Sequence, residues 1–540
     1  MTSAPLPSFP ERFNLADFLL EPNLAAGRSG RTAILSGDSR YTYAQVDALA
    51  RRAGAALAGL GVRMEDRVLI VLPDGIEFVA AWLGTLKIGA VFAMANTVHT
   101  AEDYLYYLDY TRTPVAVIHE SVLQKFDAVR AGARHLKALL VVGAAGRHLS
   151  FETELSRASD ALQTAPTHRD DIAGWLFTSG STGLPKAAVH FHQDFAFNIE
   201  TYARQVLGMN EGDITVSVPK LFFGYATGTN LMFPFAAGGA AALFAERSTP
   251  EQIFRMIARH RPTVLTSVPT MINAMIESHA AKGQDLSCLR VCISAGEALP
   301  GALYRRWVER FGVEILDGIG SAEMFHIYIS NRFGRVREDS LGTLVPGYDA
   351  RIVGPDGGDV PDGAQGTLWV RGGSTALCYW QRRESSRSTF RGDWCVTGDQ
   401  FRRDAEGYFH YCGRTDDMLK VSGIFVSPLE IEDCLMGHPA VREAAVIGHI
   451  DEGGLSKPKA FVALKEGHEP SREVAFELKG FVKNRLSPYK YPRWIQFVRS
   501  LPRSDRSKVL RGVLREGVES LLTVSLSPAG PGEETGPDAG

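Results

Sequence analysis

The sequence predicts an α/β protein: a large N-terminal domain of parallel βαβ sheets with a small β unit, then a smaller, mobile α+β C-terminal domain. Three observations predict it. Over the first two-thirds of the 540 residues, short apolar runs rich in β-branched residues alternate with segments whose apolar residues recur at helical spacing. From Gly342 the pattern changes to short strands divided by Gly/Asp/Pro turns. A last section, roughly 417–520, has strands and helices of its own.

The elements follow in order. Tyr43–Gly59 places alanines and leucines at helical spacing. Arg67–Leu72 reads as a strand and Ile76–Leu86 as the helix after it. Val115–Ile118 and Ala138–Val142 repeat the strand pattern. Thr263–Val268 is a strand closed by Pro269, and Thr270–His279 reads as helix. Strands that are apolar throughout, rather than alternating, belong to parallel sheets covered on both faces. Ala350–Val353, Gly366–Arg371 and Gly407–Tyr411 are the strands of the small β unit. Strands over Ala444–Gly448 and Ala460–Leu464, with helices over Ser427–Met436 and Arg472–Leu486, form the last section. The expected boundaries are 1–415 for the large domain and 416–524 for the small one. A Pro/Gly/acidic tail over 525–540 is expected to be disordered.

Composition excludes several classes. Apolar residues at 45% and charged residues at 22% are ordinary for a soluble chain. A formal net charge of −3 makes no electrostatic case for nucleic acid or an anionic membrane as partner. Met1–Pro10 lacks the basic segment and apolar core of a secretory signal. Leu221–Ala245 carries no charge and is long enough to span a bilayer. Its glycines, Pro234, Thr227, Thr229 and Asn230 nevertheless predict buried α/β core. Cys288, Cys292, Cys378, Cys395, Cys412 and Cys434 show no paired CxxC spacing, which suits reduced thiols in a cytoplasmic protein.

The most specific run is Thr178-Ser179-Gly180-Ser181-Thr182-Gly183-Leu184-Pro185-Lys186, set between two apolar strands. Glycines let backbone N–H groups approach an anion, hydroxyls add donors, and Lys186 adds a point charge. That combination suits phosphate. It is not a Walker A loop, because Lys186 follows a proline and precedes an alanine.

Further segments follow: Ser294-Ala295-Gly296-Glu297, Asp317-Gly318-Ile319-Gly320-Ser321-Ala322-Glu323, Thr397-Gly398-Asp399, Gly413-Arg414-Thr415-Asp416-Asp417 and Ser507-Lys508. Together with the phosphate run, and in this order, they resemble the adenylate-forming superfamily of acyl- and aryl-CoA ligases, adenylation domains and luciferases. The resemblance covers nearly the whole chain. It implies ATP, Mg²⁺ and coenzyme A as cofactor and cosubstrates. Residues 178–186, with Thr178, Ser179, Gly180, Ser181, Thr182, Gly183 and Lys186, would hold the phosphates. Ala295, Gly296 and Glu297 would wall the adenine, with Asp317, Gly318 and Ile319 beside it, and Asp317 would accept from the adenine amino group. Glu323 would hold Mg²⁺, although Ala322 replaces the threonine usual before it. Asp399 would bind the ribose hydroxyls, and Arg414 ribose or phosphate. Asp416 would be the hinge of domain rotation, and Gly423 would line the pantetheine channel. Lys508, preceded by Ser507 rather than glycine, would bridge the acid and the α-phosphate.

Lys220-Leu221-Phe222-Phe223-Gly224-Tyr225-Ala226 and Met324-Phe325-His326-Ile327 resemble the benzoate-CoA ligase branch of that superfamily. By this resemblance Gly224, Tyr225, Ala226, Gly320, His326 and Ile327 build the acid pocket, with Lys420 near the carboxylate. Small and flat residues with few polar groups suit an aromatic carboxylic acid such as benzoate or 2-aminobenzoate. The implied reaction is AMP-forming activation of the acid, then transfer to CoA. Transfer to a carrier-protein phosphopantetheine is the alternative, and a non-catalytic nucleotide-binding homologue is a further one. A homodimer would be in keeping with the family.

Overall fold

The computed structural model describes residues 6–178, 184–414, 418–421, 424–451, 456–486, 490–503 and 509–525. The chain divides into two compact units. The first comprises residues 1–351, 369–397 and 407–409, and the second residues 352–368, 398–406 and 410–540.

Two sheets organise the first unit. The nine-stranded sheet has at its centre Ile315–Gly320, Val291–Ser294, Val264–Ser267, Ile214–Ser217, Ala240–Leu243 and Thr32–Ser36, all parallel. Antiparallel strands close both edges: Ile327–Ser330 with Thr343–Leu344 at one, Ser39–Thr42 at the other. The eight-stranded sheet runs Cys378–Tyr379, Lys186–Phe191, Ile172–Thr178, Val91–Met94, Arg67–Val71, Val115–His119, Ala138–Val142, Leu149–Ser150. It is parallel from Ile172–Thr178 outward. Strands such as Val91–Met94, Val264–Ser267 and Val291–Ser294 are buried at every position, which is why they hold apolar residues and small hydroxyls with no charge.

The helices follow their sequence signals closely. Tyr43–Gly59 starts on a capping box in which Thr42 and Gln45 exchange hydrogen bonds. It lies against Ile76–Lys87 so tightly that a Cβ on Gly84 would sit 2.6 Å from the Gly54 nitrogen. The helix after Val264–Ser267 spans Pro269–Glu277, one residue earlier than expected, because proline itself takes the first helical position. Likewise Pro428 takes the first position of Pro428–Met436, and Arg472 opens a helix that ends at Lys483. The strand expected at Gly407 begins at Phe409, since Gly407, at φ +86°, belongs to the preceding turn.

The uncharged stretch 221–245 is core. It folds as Gly224–Thr227, a π-helical turn Gly228–Met232, Phe233–Ala237 and the strand Ala240–Leu243. Among the described residues no helix is long and apolar enough to cross a membrane.

In the second unit Val441–Ile450, Ser456–Leu464, Trp494–Phe497 and Leu522–Ser525 form a four-stranded sheet. Helices Pro428–Met436 and Arg472–Lys483 supply Ile431, Leu435, Ala475 and Leu478 to its core. Ser525, expected to open the tail, is the last residue of that sheet. The short strands Asp349–Val353, Gln365–Arg371, Trp394–Arg403 and Phe409–Arg414 are the expected β unit.

One buried cation ties three helices of the first unit together. The Lys87 side chain is 0% exposed, with Nζ 3.1 Å from Asp17 Oδ1 and 2.9 Å from Asp47 Oδ1. Removing one partner of a buried pair leaves the other uncompensated. Lys87→Ala should therefore destabilise the first unit by about 3–5 kcal/mol, read as a lower denaturant midpoint for its transition; an unchanged midpoint would refute the role.

Candidate active site

The strands that flank the phosphate run, Ile172–Thr178 and Lys186–Phe191, pair antiparallel. Thr178 pairs with Lys186 in the antiparallel register with Lys186–Phe191. Ser179, Gly180, Ser181, Thr182 and Gly183 lie outside the described residues. Strand alternation puts Lys186, Ala188 and His190 on one face. Ala188 packs there with Ala376, Tyr379 and Ala322.

That face meets the segment carrying Glu323. The Lys186 ammonium sits 3.7 Å above the centroid of the Tyr379 ring. The Tyr379 hydroxyl donates to Glu323 Oε1 at 2.5 Å. Burial, and then the Glu323 carboxylate, push the phenol well above its ordinary pKa, so it stays a donor. The Glu323 carbonyl accepts from the Ala376 N–H at 2.8 Å. One residue earlier, His190 Nε2 donates to the Ala322 carbonyl at 2.7 Å, while Nδ1 lies 3.1 Å from Asp194 Oδ2. Asp194 also accepts from the Phe191 N–H at 3.0 Å, and both side chains are buried. Glu323 is thus held at its carboxylate, its own carbonyl and the carbonyl before it.

Sequence reasoning missed Tyr379, His190 and Asp194. The signal for His190 was its place four residues after Lys186 on the same strand face. Tyr379 lies in an ordinary-looking apolar segment and had none.

Ala295 and Gly296 follow the end of Val291–Ser294, where Gly296 takes φ +90° and a Cβ would meet nothing within 4 Å. Backbone is therefore presented to open space there, as a flat base needs. Glu297 faces another way: Oε2 accepts from the Thr270 hydroxyl at 2.7 Å and from its N–H at 3.2 Å, at the start of Pro269–Glu277. Gly318 and Gly320 answer first to the fold. A Cβ on Gly318 would sit 2.7 Å from the Ile329 carbonyl oxygen, and one on Gly320 2.5 Å from that of His326. Ile319, between them, is half-buried.

Of the expected acid-pocket residues Tyr225 packs against His326, beside Phe233 and Tyr202, which were not anticipated. Its ring centroid lies 4.9 Å from Phe233, 5.4 Å from Tyr225 and 5.6 Å from Tyr202. His326 is 2% exposed, and Nε2 donates to the Tyr225 carbonyl at 3.1 Å. Burial depresses its pKa to about 3, so the imidazole is neutral and Nδ1 is a bare acceptor. Nδ1 has no hydrogen-bond partner among the described residues. Gly228, not anticipated, makes room: a Cβ there would come 2.6 Å from His326 Cδ2. Phe325, at φ +65°, reverses the chain between Glu323 and His326. A left-handed backbone at a bulky residue is strain held by the packing around it; Phe325 stacks edge-on to Phe195 at 4.6 Å. Ala226 and Ile327 are buried, Gly224 opens the helix Gly224–Thr227, and the Lys420 side chain is outside the described set.

In the second unit, Asp399 and Arg414 are ion-paired, Nη1 to Oδ1 at 2.9 Å. Gly398 at φ +73° turns the chain beneath them. Asp416, Gly423 and Lys508 lie outside the described residues.

Asp317 is 5% exposed and sits on the strand next to Ser294, in register with it. The expected partner was an adenine amino group; its neighbours in the fold are Ser294, Tyr225 and Tyr202. Burial pushes its carboxyl up to about 8, with the Ser294 hydroxyl and Gly318 N–H pulling partly back. The folded state keeps this proton where the unfolded chain has lost it. Its contribution to stability therefore falls as pH rises from 3.8 to about 8. Asp317→Asn removes the titration, so its thermal midpoint relative to wild type should be higher at pH 8 than at pH 5. An offset independent of pH would contradict this.

Residues 23–380 match the AMP-binding enzyme family and residues 430–508 the AMP-binding enzyme C-terminal domain. A benzoate–CoA ligase of Thauera aromatica is 45% identical over 513 residues, which cover 95% of this chain and 97% of that protein. The solved structure of an anthranilate CoA ligase in complex with anthranoyl-AMP is similar with a TM-score of 0.90 at 39% identity, covering 94% of this chain and 98% of that one. A benzoate CoA ligase from Burkholderia xenovorans is similar with a TM-score of 0.87 at 41% identity, covering 93% of this chain and 100% of that one. Phosphate hairpin, glutamate clamp and aromatic-walled histidine thus stand in a chain that belongs to the AMP-binding enzymes of the adenylate-forming superfamily, in the benzoate- and aryl-CoA ligase branch, as an AMP-forming acid–thiol ligase.

Proposed function

We propose that this aryl-CoA ligase activates benzoate or 2-aminobenzoate with ATP and passes the acyl group to free CoA. One observation carries the choice of acid: the buried neutral His326, whose unpartnered Nδ1 acceptor is walled by Tyr225, Phe233 and Tyr202. Flat walls favour a ring, and a bare acceptor suits an ortho amino donor. Benzoate and anthranilate ligases among the similar proteins support the same reading.

In this reading the acid's carboxylate attacks the α-phosphorus of ATP, forming acyl-AMP and releasing pyrophosphate. Lys186 and the loop 178–183 grip the phosphates that leave, and the Ala295–Gly296 backbone seats the adenine. Asp399 accepts from the ribose hydroxyls. Lys508 offsets the charge that builds as two anions meet. The donor set fits Mg²⁺: among the described residues no cluster of three His, Cys, Asp or Glu could hold an ion unaided. Mg²⁺ characteristically keeps waters and takes one or two carboxylates together with substrate phosphates. Glu323 offers that carboxylate, its Oε1 held by Tyr379 and its Oε2 left to a cation. When bound, the ion neutralises phosphate charge as it develops. In the second step the CoA thiol attacks the acyl-adenylate, AMP leaves, and Gly423 leaves room for the pantetheine arm.

The test is pyrophosphate release over benzoate, 2-aminobenzoate, hydroxybenzoates and a medium-chain fatty acid, with free CoA or a phosphopantetheinyl carrier protein as acceptor. Ring acids with free CoA should turn over fastest. Preference for the carrier or the fatty acid would overturn the reading, as would silence with every acid. Lys508→Ala should abolish adenylation yet largely spare thioester formation from supplied acyl-adenylate; equal loss of both would refute its assigned role. Gly224→Ala would place a methyl 3.2 Å from Leu176 Cδ1, a flexible neighbour, so the fold should tolerate it. The narrower slot should lower kcat/KM for 2-aminobenzoate relative to benzoate by roughly tenfold, and an unchanged ratio would remove Gly224 from the specificity argument.

A further inference from the structure

Tyr379 stands between two groups of opposite charge that both serve the phosphates. Lys186 rests on its ring face at 3.7 Å, and Glu323 Oε1 accepts a hydrogen bond from its hydroxyl at 2.5 Å. Its place is firmly set. The strand Cys378–Tyr379 pairs antiparallel with Lys186–Phe191, with Tyr379 opposite Ala188. The Tyr379 N–H donates to Ser386 Oγ at 2.9 Å, the Trp380 N–H donates to the Ala187 carbonyl at 3.0 Å, and Phe390 packs 5.2 Å from the ring. The side chain is 3% exposed.

We propose that Tyr379 is a positioning residue that keeps Lys186 and Glu323 from pairing with each other and aims both at the phosphates and Mg²⁺ of bound ATP. The proposal rests on the reading of Glu323 as the Mg²⁺ carboxylate. A lysine and a glutamate side by side neutralise one another, and each is then spent before substrate arrives. A tyrosine between them prevents this in two ways. The π-face holds the ammonium without supplying a counter-charge, so a phosphate can draw it away. The phenol donates to one carboxylate oxygen and orients the other. The ring therefore serves ATP, and the hydroxyl serves the metal. Neither function bears on attack of the CoA thiol, which needs no pyrophosphate grip.

Separating ring from hydroxyl tests this. Tyr379→Phe keeps the ring, and Tyr379→Leu removes both. Calorimetric titration with ATP alone and with ATP plus Mg²⁺, without any acid, reads binding apart from turnover. Tyr379→Phe should bind metal-free ATP as wild type does but lose most of the affinity that Mg²⁺ adds. The Mg²⁺ concentration for half-maximal pyrophosphate release should rise roughly tenfold. Tyr379→Leu should in addition weaken metal-free ATP by several-fold. Both variants should form thioester from supplied acyl-adenylate at the wild-type rate. A Tyr379→Phe protein with wild-type Mg²⁺ dependence would overturn the proposal. So would one in which both half-reactions fall together with the thermal midpoint, since that marks a merely structural residue. Glu323→Gln, measured in parallel, separates the two layers. If it loses Mg²⁺ dependence while Tyr379→Phe does not, the tyrosine's role alone is wrong. If Glu323→Gln keeps wild-type Mg²⁺ dependence, the metal reading fails and the proposal falls with it.

Discussion

The chemistry of the first unit depends on a hydrogen bond between its two sheets. His190 stands on a strand of the eight-stranded sheet, and the Ala322 carbonyl it holds follows the last parallel strand of the nine-stranded one. Through that contact, and through Tyr379 on Glu323, the segment after that parallel strand is fixed to the edge of the eight-stranded sheet, where His190 lies opposite Gly174 and Lys186 opposite Thr178. Asn198, on the segment after the His190 strand, repeats the device by donating to the Ile327 carbonyl at 2.9 Å. Parallel sheets present loops and helix starts at their carboxyl ends, which is where α/β proteins bind ligands.

Within that frame, several residues that look like ligands are first of all conditions of the backbone. Gly318 and Gly320 permit the close approach of Ile327–Ser330, and Gly228 permits His326. The converse also holds. Phe325 takes a backbone conformation its side chain disfavours, and Glu323 and His326, three residues apart, meet different partners, the Tyr379 hydroxyl and the Tyr225 carbonyl. Strain concentrated between two functional groups and held by aromatic packing is a common way to fix a site.

Charge is managed by pairing rather than by exposure. Lys87 is compensated by two aspartates, Asp399 by Arg414, and Lys186 by an aromatic face. Where no charged partner exists, burial removes the charge instead: Asp317 keeps its proton up to about pH 8 and His326 loses its own above about pH 3. The surroundings of His326 and Asp317 consequently hold polar atoms without ions at neutral pH.

Much was legible in the order of residues alone. Apolar strands alternating with helical periods specify parallel sheets, because only strands covered on both faces are apolar at every position. The phosphate run, Glu323, Asp399 and the aryl signature at Gly224 and His326 could be nominated from sequence because each is a short segment whose chemistry is local. Tyr379, His190 and Asp194 were not, nor was the burial that protonates Asp317. Their roles arise from contacts with partners far away in sequence, 132 residues in the case of His190 and Ala322, and no local pattern records such a distance. The sequence by itself determined the fold class and the motifs that make Lys186, Glu323 and His326 candidates for a site. Only the tertiary structure decided what holds them, because hydrogen bonding, charge pairing and desolvation depend on neighbours in space.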